Sequence, residues 1–181
     1  RCLSRGLGDV YKRQDIKIAD VPNTALSALD SLKDLKNIKY ITVHASGGLE
    51  MLKAVTKKAK KINKSIKVLG VTILTSLDNK SVQEIGYKNT IEKLVLKQVS
   101  LIKKSGASGV ICSAHEAKII RKKFKNLFIV TPGIRLPGDE ENDQKRITTP
   151  KQAFQNKASA IVIGRSITCL LYTSDAADDW S

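Results

Sequence analysis

Cysteine, proline and aromatic residues are all scarce in this chain of 181 residues, which has three Cys, four Pro and aromatics at only 4% of positions. So few cysteines exclude a disulfide-stapled scaffold. With so little proline, and with 11 glycines spread thinly, there is no Pro-rich or Gly/Ser-rich linker to divide the chain. The aromatic deficit removes the stacking platform on which single-stranded nucleic acid is usually held. No run approaches the roughly 18 apolar residues that a membrane-spanning helix needs, and no charged-then-apolar leader is visible. The sequence therefore predicts a cytoplasmic protein with no membrane partner. A hydrophobic fraction of 41% against 27% charged residues is the composition of one globular domain with its own core.

What is abundant is lysine. The formal net charge is +15, and between residues 15 and 168 there are 24 lysines but only four arginines. Several lysines, such as Lys57, Lys58, Lys60 and Lys61, fall opposite an apolar helical stripe. Base and phosphate recognition favours the arginine fork, so this distribution reads as a solvated coat and no nucleic-acid partner is expected.

Both ends stand apart. SRGLGDVYKRQ (4–14) and CLLYTSDAADD (169–179) read like translations of a sequencing adapter on opposite strands, and neither fits the periodic pattern beside it. Segments 1–14 and 169–181 are therefore expected to be non-native, leaving 15–168 as the authentic domain. Within that stretch Cys112 is the one cysteine, and its apolar setting, GVICSA, reads as a small buried hydrophobe.

Short β-rich runs alternate with longer helical patterns, as in a parallel sheet with crossover helices. The runs are DIKIAD (15–20), YITVHA (40–45), KVLGVTIL (67–74), GVICSA (109–114), LFIVTPG (127–133) and AIVIG (160–164). Leu52, Val55, Ala59 and Ile62 recur at helical spacing, as do Ile91, Leu94, Val95, Val99 and Ile102, so both stripes should face the sheet. Pro22-Asn23-Thr24 and Thr149-Pro150 mark helix starts. Nearly every polar or glycine-rich motif follows a strand, the end at which α/β folds bind ligands.

Two constellations carry chemistry. In DIKIAD, residues two apart share a face, so Asp15 and Lys17 project together while Asp20 leads into the turn. Carboxylates bracketing an ammonium hold it protonated, ready to donate to a developing carbanion. A structural ion pair or an exposed edge strand would account for the same residues. The second constellation is an anion site: Gly133-Ile134-Arg135, the loop PGDEENDQKR and Gly164-Arg165-Ser166 follow the last two strands. In (β/α)8 barrels phosphate binds at the loops after the seventh and eighth strands. On that basis the fold is an α/β TIM barrel, incomplete, with strands three to eight present and the first two missing.

Eight segments, DIKIADVPNT, VHASGG, VTILTS, GVICSAHE, VTPGIR, GDEENDQKR, ITTPKQA and IGRSIT, together resemble the bacterial orotidine 5'-phosphate decarboxylase family in order and spacing, over essentially all of 15–168. The resemblance implies decarboxylation of orotidine 5'-phosphate to UMP without metal or organic cofactor. It makes Lys17 the proton donor to the ring carbon that loses carbon dioxide, with Asp15 beside it against the substrate carboxylate. It makes Asp20, Pro22, Asn23 and Thr24 substrate-binding residues of a homodimer with shared sites, Asp20 and Thr24 reaching the other subunit's ligand. Thr75 and Ser76 would lie near the pyrimidine, Ser76 the better candidate for its amide edge and Thr75 the family's usual assignment. Arg135, Gln144, Gly164 and Arg165 would hold the phosphate, with the loop around Gln144 closing as a lid.

Two departures qualify the match. Ala19 stands where the family usually has His, and the strands that supply a ribose-binding aspartate and a second lysine are not in the sequence, so the chain as written is expected to have little activity. A sister group of magnesium-dependent sugar-phosphate decarboxylases and aldolases shares D-x-K-x-x-D, and KIAD looks like it. A noncatalytic basic nucleic-acid-binding domain and a phosphate-binding barrel lacking catalysis are the remaining alternatives. His44, at a strand end without ligand-spaced neighbours, reads as structural or interfacial, and His115 as a surface residue.

Overall fold

The structure is a computed structural model and describes residues 17–34, 38–136 and 146–164. Six parallel strands form one sheet in the order of the sequence: β1 (Lys17–Ile18), β2 (Tyr40–His44), β3 (Lys67–Val71), β4 (Gly109–Ile111), β5 (Phe128–Thr131) and β6 (Ala160–Ile161). Each strand is hydrogen-bonded to the next, with Lys17 opposite Thr42, Thr42 opposite Leu69, Leu69 opposite Gly109, Gly109 opposite Phe128 and Val130 opposite Ala160. Sequential parallel pairing requires a crossover between each pair of strands, and helices supply it. They are α1 (Pro22–Asp30), α2 (Gly48–Ile62), α3 (Asn79–Glu84), α4 (Ile91–Lys104), α5 (Ala114–Lys123) and α6 (Pro150–Gln155).

Alternation along the strands divides the interior in two. Ile18, Ile41, Val43, Val68, Val110 and Ile129 pack with the helices in the main core. Leu69, Val71, Ile111 and Val130 point the other way and form a separate cluster with Phe128 and Val162 on the helix-free face. The helical stripes behave as their spacing predicts: Leu52, Val55 and Ala59 on α2, and Ile91, Leu94, Val95, Val99 and Ile102 on α4, are all buried. Lys57, Lys60 and Lys61 are exposed, and Lys58 is half-buried.

Strands β2 to β6, whose runs are fully described, are each shorter than the run suggests. Apolar residues continue past the last ladder bond because the loops beyond are themselves buried, as at Ile73 and Cys112. The run 109–114 ends in a helix start: Ser113 is the N-cap of α5, and its Oγ accepts from the His115 N–H at 3.3 Å. After Thr131, Pro132 lacks the N–H that a continued ladder needs. Pro22 and Pro150 begin α1 and α6, and α6 carries a full capping box between Thr149 and Gln152. Helix α3 has no apolar stripe; it is nucleated by Asp78, whose Oδ1 accepts from Ser81 N at 2.8 Å.

One arginine ties the ends of three elements together. Arg121 Nη1 donates to Lys125 O at 2.6 Å and Leu127 O at 2.8 Å, while Nη2 donates to Ser159 Oγ at 2.8 Å and Lys157 O at 3.4 Å. The end of α5, the start of β5 and the turn before β6 are thereby joined. Among the described residues no helix is long and apolar enough to cross a membrane.

Candidate active site

The C-terminal ends of the strands surround a cleft of about 340 Å³. Its lining includes Lys17 from β1, Thr75 and Ser76 after β3, Gly133 and Arg135 after β5, and Gly164 after β6. Val71, Ile73, Leu74, Ile111, Cys112 and Val162 supply an apolar floor and wall. Residues far apart in sequence meet here because a parallel sheet delivers every strand's C-terminal end to one rim.

Lys17 reaches the cleft through strand alternation. Ile18 is buried in the helix-side core, so the preceding side chain is directed to the opposite, helix-free face and is exposed there. Among the described residues β1 is Lys17–Ile18, and Asp20 lies in the turn, where its Oδ1 accepts from Val21 N at 2.7 Å. Asn23 and Thr24, in the first turn of α1, are exposed, and Pro22 is half-buried. None of Asp20, Pro22, Asn23 and Thr24 lines the cleft within this chain.

At the far side of the cleft, Arg135 is buried, with Nη1 donating to Ile134 O at 3.0 Å. Its backbone is fixed by a parallel bridge between Ile134 and Thr148: Arg135 N donates to Thr148 O at 3.0 Å and Thr148 N to Gly133 O at 3.1 Å. Gly133 turns the chain here with φ of +74°, a conformation that glycine adopts without strain. Thr75 is buried and Ser76 half-buried, so both pyrimidine candidates are at the cleft. Asp15, Gln144 and Arg165 lie outside the described residues.

Sequence reasoning missed two residues beside the cleft. Arg146 Nη1 donates to Glu116 Oε1, forming a nearly buried ion pair between the segment before α6 and the first turn of α5. Arg146 Nη2 also donates to Leu74 O at 3.0 Å and Ile73 O at 3.3 Å. Burial pushes the Glu116 carboxyl above the ordinary carboxylate range, with Arg146 and His115 opposing the rise. The available signal was compositional: arginine is rare in this lysine-rich chain, and it is retained where a planar fork is needed. Cys112, on the cleft floor, is buried as expected, and its thiol is pushed up chiefly by desolvation and further by Glu116, with Arg146 opposing.

A more open depression of about 630 Å³ lies outside the sheet, lined by residues of α4, α5 and the turn before β6. No strand contributes to it, and Arg121 on its wall is already committed to four acceptors. It reads as a solvated groove between helices. Among the described residues no three His, Cys, Asp or Glu side chains converge as metal ligands would. His115 is exposed, and His44 is half-buried at the end of β2.

The geometry has close counterparts. A crystal structure of orotidine 5'-phosphate decarboxylase from Lactobacillus acidophilus superposes with a TM-score of 0.72 at 32% identity, over 92% of this chain and 74% of that one. Orotidine 5'-phosphate decarboxylase of Staphylococcus epidermidis is 43% identical over 156 residues, covering 85% of this chain and 67% of the relative. The Coxiella burnetii protein of the same name is 40% identical over 157 residues, and the chain spans 66% of that relative's length. A family model described as orotidine 5'-phosphate decarboxylase / HUMPS family matches residues 14–169. By that match and by these identities, the chain belongs to the orotidine 5'-phosphate decarboxylase / HUMPS family.

Proposed function

We propose that the chain carries the active site of a carboxy-lyase that converts orotidine 5'-phosphate to UMP in pyrimidine biosynthesis. The observation that carries the reading is one cleft with the Lys17 ammonium on one strand end, Thr75 and Ser76 on another, and Arg135 with Gly164 on the last two. A ligand with an anionic tail and a polar ring fits that distribution. The phosphate would be held by Arg135 and the backbone near Gly164, joined by Gln144 and Arg165, and the ring's amide edge would meet Thr75 and Ser76.

In this reading the ring–carboxylate bond breaks, carbon dioxide departs, and the electron pair left on the ring carbon takes a proton from Lys17 Nζ. Water then returns the proton to the lysine. Asp15 would stand beside the ammonium, holding its position. Apolar walls such as Ile111 and Val162 keep the reacting carbon in a low-dielectric setting, where a fixed cation stabilises developing negative charge more than it would in water. Arg135 acts far from that carbon, so its binding energy can serve the chemical step.

The reading takes the six strands as six of an eight-stranded barrel, from the third to the eighth, within 15–168, with 1–14 and 169–181 foreign to it. It also takes the protein as a cytoplasmic homodimer in which Asp20, Pro22, Asn23 and Thr24 complete the partner's site. Exposure of Asp20, Asn23 and Thr24 outside this chain's own cleft supports that arrangement. No cofactor is called for.

The test is release of carbon dioxide from orotidine 5'-phosphate by the chain extended with two N-terminal β/α units, in excess chelator. Turnover should persist. Lys17→Ala should lower kcat by about 10²–10⁴, the usual contribution of a general acid, while UMP affinity stays within a few-fold. Turnover that disappears with chelator and returns with magnesium would favour a sugar-phosphate enzyme of the same superfamily instead.

A further inference from the structure

Past Val71 the β3 ladder ends, and the loop that forms one wall of the cleft has to be held by other means. Thr72 is fixed to β4, its N and Oγ1 donating to Ile111 O at 3.0 and 2.9 Å. Beyond it, Arg146 takes over. Its backbone N–H donates to Thr75 O at 3.2 Å, and Nη2 donates to the carbonyls of Ile73 and Leu74. Nη1 is anchored on Glu116, which sits in the first turn of α5. The two side chains are only 12% and 8% exposed, so these bonds form where water competes poorly.

We propose that Arg146 is a positioning residue for the Thr75–Ser76 wall, transmitting the fixed location of the α5 N-terminus to the β3 side of the cleft. The proposal rests on the reading of that wall as the ring-binding end. A guanidinium can address two successive carbonyls and a carboxylate at once; an ammonium, a single point donor on a flexible stem, cannot span them in one plane. Arg135 is held by bonds that do not involve the Arg146 side chain, through the Ile134–Thr148 bridge and its own bond to Ile134 O. Loss of the Arg146 side chain should thus disturb the loop after β3 and spare the segment after β5.

Amide hydrogen exchange on the chain extended with two N-terminal β/α units tests this, comparing wild type, Arg146→Ala, Arg146→Lys and Glu116→Gln, each free, with UMP and with inorganic phosphate. In Arg146→Ala, exchange across 73–77 should accelerate about tenfold or more, the equivalent of one lost hydrogen bond to a charged group, while 131–135 is unchanged. Arg146→Lys should move in the same direction by less, and Glu116→Gln, which keeps an acceptor, should stay near wild type. UMP should protect both segments in wild type and only 131–135 in Arg146→Ala; phosphate should protect 131–135 in all. A general loss of stability would instead accelerate both segments together, and that result, or unchanged exchange at 73–77 in both Arg146 variants, overturns the proposal whatever the ligands do. If UMP protects neither segment in wild type, the ring-binding reading itself falls, and the role assigned to Arg146 falls with it.

Discussion

Gly70 on β3 lies so close beneath Ile102 on α4 that a Cβ added to it would collide with Ile102 Cγ1. The missing side chain lets the longest buried stripe of the fold settle onto the middle of the sheet. Gly70→Ala should therefore destabilise the chain by about 1–3 kcal/mol through overpacking. Ile102→Ala, which opens a cavity, should cost about 2–5 kcal/mol alone, yet the double variant should cost less than the sum. Urea unfolding of the three variants measures the coupling, and strict additivity would show that the two residues do not share that space.

Cys112 combines burial with a thiol pushed up by desolvation and by Glu116. The thiolate is the reactive form, so native Cys112 should resist iodoacetamide and react only on unfolding. Site-resolved mass mapping in buffer and in denaturant provides the comparison, with Cys2 and Cys169 read in the same digests. Rapid native labelling at Cys112 would contradict its place on a closed cleft floor.

For Glu116 the expected pH dependence follows from a carboxyl raised by burial more than Arg146 lowers it. The folded chain then keeps this proton to higher pH than the unfolded chain does. The stabilising contribution is complete below the ordinary carboxylate value and is lost as pH climbs through the raised one. Glu116→Gln removes that titration. The stability of wild type relative to Glu116→Gln should consequently decline as pH rises past the ordinary carboxylate value and through the raised one, a change read from urea midpoints across a pH series.

Arg135 lines the cleft after β5, as the Arg146-supported wall does after β3. Its replacement by Ala should weaken UMP binding by about 10- to 100-fold, the range for a lost charge-assisted bond, while uridine, which has no phosphate, binds unchanged. Calorimetry with both ligands separates these outcomes. Equal losses for nucleotide and nucleoside would mean that Arg135 supports the backbone rather than the anion.

Much of this was legible in the residues themselves. Pro22 and Thr149-Pro150 announce helix starts that the structure contains, and the period of Ile91, Leu94, Val95, Val99 and Ile102 defines a buried face. The gathering of Thr75, Ser76, Arg135 and Gly164 follows from their shared position after strands, and that of Lys17 from alternation along β1. Strand ends were not legible, because Ile73 and Cys112 are as apolar and as buried as ladder residues while lying in loops. Helix α3 escaped because NKSVQE has no periodic stripe and depends on one capping carboxylate, Asp78. The Arg146–Glu116 pair was hidden for a different reason: the partners are thirty positions apart, and only the return of the chain beside Gly133 brings them together.

The staple made by Arg121 across α5, β5 and the turn before β6 bears on how such a lysine-heavy chain tolerates drift. Codon pressure that trades one basic residue for another passes unnoticed on the solvated helix faces, where net charge is all that matters. At a guanidinium feeding four acceptors the same trade removes fixed bonds while leaving the charge untouched. A genome drifting toward lysine would thus erode this protein at a handful of joints long before its surface registered the change.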